Sequence, residues 1–359
     1  MKLGNVLLVA CGMLATACLG RQNGNARTSA AVLVARDQRP AMLTVSNKQV
    51  EVLGLRRWTL AMIQDSLDKY APGENLASHA CAAVLRYKLG FADAASNTFT
   101  DQSVKDAAGR PLQRVTVSVI EPQDSARVRS RFVPQDSTSP YEPWARVREL
   151  VRKHPQSVSL ALQLGPRFQA DTMAWFLASF SDDSAGMRAA WLFQSSYASD
   201  VDFEAARHLL EKSPDIFTRV SAVLVLGGFG GRDATVHALV GAMLESDGYV
   251  KGFAGSALEA VTRDYPRKVN WKPVAPAVHA MLDGTSLFQM GSMLAALGAS
   301  QVDTSYAVPF LANGGRMLLN YFQSAQPRNR DPARRLLIVL RGQDLGHDVE
   351  TWRAWISSL

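Results

Sequence analysis

From Pro140 onward the apolar positions step by three and four, so the second half of the chain is predicted to be all helix. Trp144, Val147 and Val151 form one stripe, and Phe203, Ala206 and Leu210 another. Asp233 is placed to cap a helix in which Val236, Val240 and Met243 share a face. The first half is patterned differently. LQRVTVSVIE alternates, with Val115, Val117 and Val119 on one side and Arg114, Thr116 and Ser118 on the other. Upstream, LTV and VEV flank SNKQ as a hairpin would. A lone strand leaves its backbone groups unpaired, so these segments are expected to share a small sheet. Two helices are predicted between them. In RRWTLAMIQDSLDKY the positions Leu60, Ile63, Leu67 and Tyr70 line up, and Ala71-Pro72-Gly73 stops the helix. The second, in ENLASHACAAVLRYKL, carries Cys81 on the face of Val84 and Leu85. QDSARVRSRFVPQDSTS, residues 123–139, is polar and proline-interrupted, and predicts a long exposed loop or disordered segment.

The helical half repeats. DIFTRVSAVLVL and DGYVKGFAGSAL align with Asp215 over Asp247, Arg219 over Lys251, Ala222 over Ala254 and Leu226 over Leu258. The offset, 251 minus 219, is 32 residues, and SDDSAGMRAAWLF places Arg188 31 residues before Arg219. Downstream, LFQMGSMLAAL and RDPARRLLIVL keep the helix shape while the spacing drifts. Over roughly residues 170–359 the pattern resembles HEAT repeats, whose units follow Asp-x-x-Val-Arg-x-x-Ala-x-x-x-Leu. The resemblance implies a mostly α fold, a HEAT-like α-α superhelix (solenoid) with a small N-terminal α/β segment. It also implies a structural ladder of Asp215 with Arg219, Asp247 with Lys251 and, more loosely, Asp331 with Arg334. GQDLGHDVETWRAWISSL looks like the closing segment of bacterial HEAT proteins. Trp352 and Trp355 there recur on one helical face with Ile356, as a cap over the last core layer.

The chain opens MKLGNVLLVACGMLATACLG. Lys2 precedes an apolar run from Leu3 to Ala17, shorter than the roughly 20 residues that span a bilayer. Leu14-Ala15-Thr16-Ala17-Cys18 resembles the lipobox of bacterial lipoproteins. That resemblance implies an acylated Cys18 at the mature N-terminus and, with Leu19 following it, sorting to the outer membrane. Leu8-Val9-Ala10-Cys11 also fits the motif but leaves a very short apolar core. Plain secretory cleavage and an uncleaved anchor stay open. The expected organisation is a signal peptide over 1–17, a tether over 18–48, a mixed helical and β segment over 49–140, and HEAT-like repeats over 141–359.

Composition refines this. With 359 residues and 47% hydrophobic content, the chain can build a large core. The net charge is +7; Lys2 is the one charged residue within 1–17, so +7 becomes +6 on cleavage. Basic residues are dispersed, which predicts a solvated surface, and export argues against nucleic acid. Of Cys11, Cys18 and Cys81, only Cys81 remains a free thiol once Cys18 carries lipid, and a buried, inert one is expected.

Catalytic signatures are wanting. Ser66-Leu67-Asp68-Lys69 matches S-x-x-K without its partner motifs, and GGFGGRD (227–233) lacks the ending of a P-loop. His79, His154, His208, His237, His279 and His347 are scattered singly, so no metal, cofactor or catalytic site is predicted. The expectation is an exported, lipid-anchored protein-binding or scaffold module of the cell envelope, with an envelope protein as its partner. Its alternatives are an envelope hydrolase with a dispersed site and a binder of anionic polymer or lipid.

Overall fold

The computed structural model describes residues 39–45, 47–78, 80–106, 109–132, 141–164 and 196–359. The signal segment, Cys18, most of the tether and Arg188 lie outside them. Contacts divide the chain into Met1–Ala31 and Val32–Leu359, and every described residue belongs to the second unit.

The alternating segments form one four-stranded sheet in the order β1-β2-β4-β3. β1 (Ala41–Val45) and β2 (Lys48–Leu53) make the expected hairpin, so β1 falls inside the stretch assigned to the tether. β2 runs parallel to β4 (Pro111–Ile120), with Val50 opposite Val115 and Val52 opposite Val117. β3 (Asp93–Lys105) lies antiparallel on the far side of β4. Side chains alternate between faces. Val50, Val52, Val115, Val117 and Val119 therefore bury on one side, against Ile63 and Leu67 of α1 (Leu60–Tyr70) and Cys81 and Leu85 of α2 (Cys81–Tyr87). Leu53, Ala95 and Ile120 turn the other way and join the helical core.

The rest of the described chain is helical. α3 (Ala145–Lys153) and α4 (Pro155–Leu164) lead to α5 (Asp200–Lys212), α6 (Ile216–Gly227), α7 (Asp233–Met243) and α8 (Gly248–Asp264). Then follow α9 (Ala275–Asp283), α10 (Met290–Ala299), α11 (Ala307–Leu311), α12 (Arg316–Phe322), α13 (Pro327–Arg341) and α14 (Val349–Ser357). α6 packs on α8, α8 on α10 and α10 on α13. α5 lies against α6, α7 against α8, and α9 against α11 and α12. Every residue of α6 from Thr218 to Gly227 is buried, as a helix apolar on all sides requires, because α3, α4, α5 and α8 surround it.

Two expectations are corrected. Asp233 is the first residue of α7 rather than its cap; its carboxylate accepts from the Asn270 N–H at 3.1 Å and pairs with Arg267. Residues 123–132 of the predicted loop are held down. Pro122–Arg127 forms a 3-10 turn, and the buried Arg127 donates Nε to the Asp283 carbonyl at 3.0 Å. Thr285 Oγ1 returns a bond to the Arg127 carbonyl at 3.0 Å, and Arg131 N donates to the Leu244 carbonyl at 2.7 Å. These arginines satisfy carbonyls at helix ends, where the helix itself leaves acceptors over.

Candidate binding cleft

The sheet face opposite α1 and α2 carries polar side chains beside Leu53, Ala95 and Ile120, and several of them are paired with the helices. Glu51, fully buried in β2, accepts from Ser324 Oγ at 2.5 Å and from the Ala325 N–H at 2.6 Å. Thr116 Oγ1 donates to Gln326 Oε1 at 3.0 Å and accepts from Asn329 Nδ2 at 2.8 Å. Ser118 Oγ and Tyr321 Oη lie 3.4 Å apart. At the start of β3, Asp93 Oδ2 accepts from the Leu287 N–H at 3.2 Å. Buried polar groups must be paired, so this layer fixes the register of sheet against helices more sharply than apolar contact does.

Beyond Asn97 the layer opens into a cleft of about 740 Å³. Asn97, Thr98 and Phe99 of β3 and Thr116 of β4 form one side. Gly252, Ser256 and Glu259 of α8, Phe288 and Gln289, Ser292 of α10, and Arg328 and Asn329 of α13 complete the lining. Gln289 is 2% exposed, lines the cleft, and its Nε2 has no hydrogen-bond partner. It lies against the glycines of α8: a Cβ at Gly255 would stand 1.8 Å from Gln289 Oε1. Ser292 Oγ donates to Glu259 Oε2 at 3.1 Å, and the Arg328 guanidinium stacks 5.1 Å from the Phe99 ring. Phe288 is 55% exposed. One acid, one base, carboxamides, hydroxyls and two phenyl rings make a site suited to an uncharged polar ligand with apolar side groups.

The ladder residues go elsewhere. Asp215 caps α6, accepting from the Thr218 N–H at 2.7 Å, while Arg219 Nε donates to Glu245 Oε2 at 3.1 Å. Asp247 caps α8 through the N–H groups of Tyr249 and Val250, both at 2.9 Å. Lys251 stands nearby with its pKa lowered by burial against the pull of Asp93 and Asp247. Asp331 pairs with Arg330 at 3.0 Å, and Arg334 pairs with Asp344. Trp352 is fully buried, edge-on to both Phe322 and Trp355, and donates Nε1 to the Gly346 carbonyl at 3.0 Å. Cys81 is buried, and burial raises its thiol pKa to about 11.

Other residues weighed in the sequence have structural partners. His237 Nε2 lies 2.6 Å from the Asn270 carbonyl and His279 Nε2 3.0 Å from the Ala312 carbonyl. In GGFGGRD a Cβ on Gly230 would overlap the Tyr265 ring, so close packing explains that glycine. Among the described residues no group of three or more His, Cys, Asp or Glu side chains could hold a metal ion. No described helix is long and apolar enough to cross a membrane.

No motif in the sequence marks the cleft. Its nearest sequence signal is the polar row of β4, Arg114, Thr116 and Ser118, which alternation alone assigns to solvent. No family model matches the chain, and neither does any curated protein or solved structure.

Proposed function

We propose that this chain is a HEAT-like α-solenoid, exported and held at the outer membrane through a lipid on Cys18, acting as a protein-binding or scaffold module of the cell envelope. The serial packing of α6, α8, α10 and α13 supports the solenoid reading, since each apolar stripe is covered by the next helix in the series. The cleft carries the binding reading. Function by complementarity needs a shaped surface with polar groups held in place, and Asn329 and Thr116 are so held by their mutual hydrogen bond. The partner is an envelope protein rather than nucleic acid or an anionic polymer, because Glu259 balances Arg328 at the cleft and no cationic run lines it.

Purification of the full chain from gently solubilised cells, with crosslinking applied only after the salt wash, tests this. A defined envelope protein should remain attached at an ionic strength of about 1 M, where exposed charges are screened within about 3 Å. Loss of every adduct at that salt contradicts the reading. Anchoring is separable: Cys18→Ser should release the protein from membranes, and retention there contradicts the lipid.

A further inference from the structure

We propose that the cleft takes an extended polypeptide segment of a partner protein, uncharged at its centre, which adds as a strand to the free edge of β3. This rests on the binding-module reading and names the chemistry of its partner.

Three observations converge. First, among the described residues β3 is the outermost strand, with β4 as its one strand neighbour. Its start is covered, since residues 287–289 lie against it and the Leu287 N–H bonds Asp93. From Asn97 on, the strand borders the cleft instead. Second, the register shows what the strand offers there. Asn97 and Phe99, opposite Thr116 and Arg114, share the face turned to the helices, whereas Thr98, opposite Val115, shares the other face. Consecutive residues that line one cleft while pointing to opposite faces present their edge to it. That edge is a row of main-chain N–H and C=O groups. Third, beside the covered start of β3 the cleft lining supplies a buried carboxamide donor, Gln289 Nε2, with no partner of its own.

A polypeptide is the ligand whose own donors and acceptors repeat at the spacing of such an edge, about 6.8 Å for two residues. A sugar chain has hydroxyls for the carboxamides but no matching row. Alternate side chains of the added strand would meet Phe99 and Phe288. Glu259 and Arg328 cancel, which favours a segment without net charge.

The test pans a phage library of short random peptides against the protein, with counter-selection on the Gly291→Trp variant. Gly291 lines the cleft, is exposed, and has nothing within 4 Å of an added Cβ, so the bulky side chain fills the cleft without a clash in the fold. The selected peptide is then synthesised with blocked ends, together with two analogues N-methylated at alternate amides in opposite phases. Strand addition predicts that Gly291→Trp weakens binding by about tenfold or more at an unchanged thermal midpoint. One methylated phase should weaken it as much and the other hardly at all, because only alternate amides of an added strand face its neighbour. Equal effects of the two phases overturn strand addition, as does a failure to select any peptide that Gly291→Trp blocks. Uncharged oligosaccharides are measured in parallel. Binding there that Gly291→Trp abolishes also overturns strand addition but leaves a binding module standing, whereas the module reading itself fails through the salt-resistant crosslink.

Discussion

Arg219 and Glu245 form a buried ion pair at 3.1 Å, and it joins the first turn of α6 to the end of α7. Arg131 reaches the same carboxylate at 3.1 Å from the segment that follows the sheet. One buried acid thus ties three parts of the chain. Burial pushes the Glu245 pKa up, and the two guanidiniums pull against that.

Glu245→Ala should therefore destabilise the protein by about 3–5 kcal/mol, because it leaves Arg219 buried without its counter-charge. Urea unfolding checks this. Glu245→Gln should cost less, since it keeps an acceptor. A cost for Glu245→Ala under about 1 kcal/mol contradicts the pairing.

Cys81 gives a pH prediction with a fixed sign. Its folded pKa, about 11, lies above the ordinary thiol value of about 9. Below pH 9 the stabilising preference for the thiol is complete, and it is lost as pH rises toward 11 and the unfolded chain ionises first. Wild type should lose about 2 kcal/mol more than Cys81→Ala between pH 9 and 11. Parallel curves for the two proteins contradict the burial of the thiol. At pH 8 the peptide containing Cys81 should resist alkylation until the chain unfolds.

Gly255→Ala should be costly although alanine favours helix. The new Cβ would stand 1.8 Å from Gln289 Oε1 and 2.7 Å from its Cδ, so the buried carboxamide must turn aside. Because it is the end of a flexible side chain, the cost falls at the low end for overpacking, about 1 kcal/mol. Pairing it with Gln289→Ala removes the obstacle, so the double variant should be more stable than Gly255→Ala alone. Additive costs in the thermodynamic cycle contradict the contact.

Trp352→Ala should cost about 3–5 kcal/mol and Trp355→Ala clearly less, since only Trp352 is fully buried. Deleting residues 348–359 should lower the thermal midpoint further. An unchanged midpoint contradicts the capping role of α14.

Legibility in the sequence followed periodicity. The valines of β4 and the stripes of α3, α5 and α7 predicted their elements because burial on one face leaves a period of two or of 3.6. β3 escaped because DAASNTFTDQSVK is rich in small and polar residues: one of its faces packs in the polar layer, and its edge borders the cleft. Residues 123–132 looked like a solvated loop because arginine is read as exposed, whereas Arg127 and Arg131 bond carbonyls and Glu245 across more than a hundred positions. The repeat marked Asp215, Arg219 and Asp247 as special without revealing their partners. Glu245 has no place in the repeat motif, and nothing local connects it to Arg219. Glu51, Gln289 and Asn329 are likewise isolated in sequence, and each meets its neighbours only in the folded chain: Glu51 at Ser324, Asn329 at Thr116, and Gln289 against Gly255.

The most direct test of the cleft as the working surface places a photoreactive amino acid at position 291 in the full chain in its native cells, and a second at the exposed Val201 on α5. A single defined protein adduct from position 291, absent from position 201, is the predicted result. No adduct at 291, or the same adducts from both positions, contradicts the account.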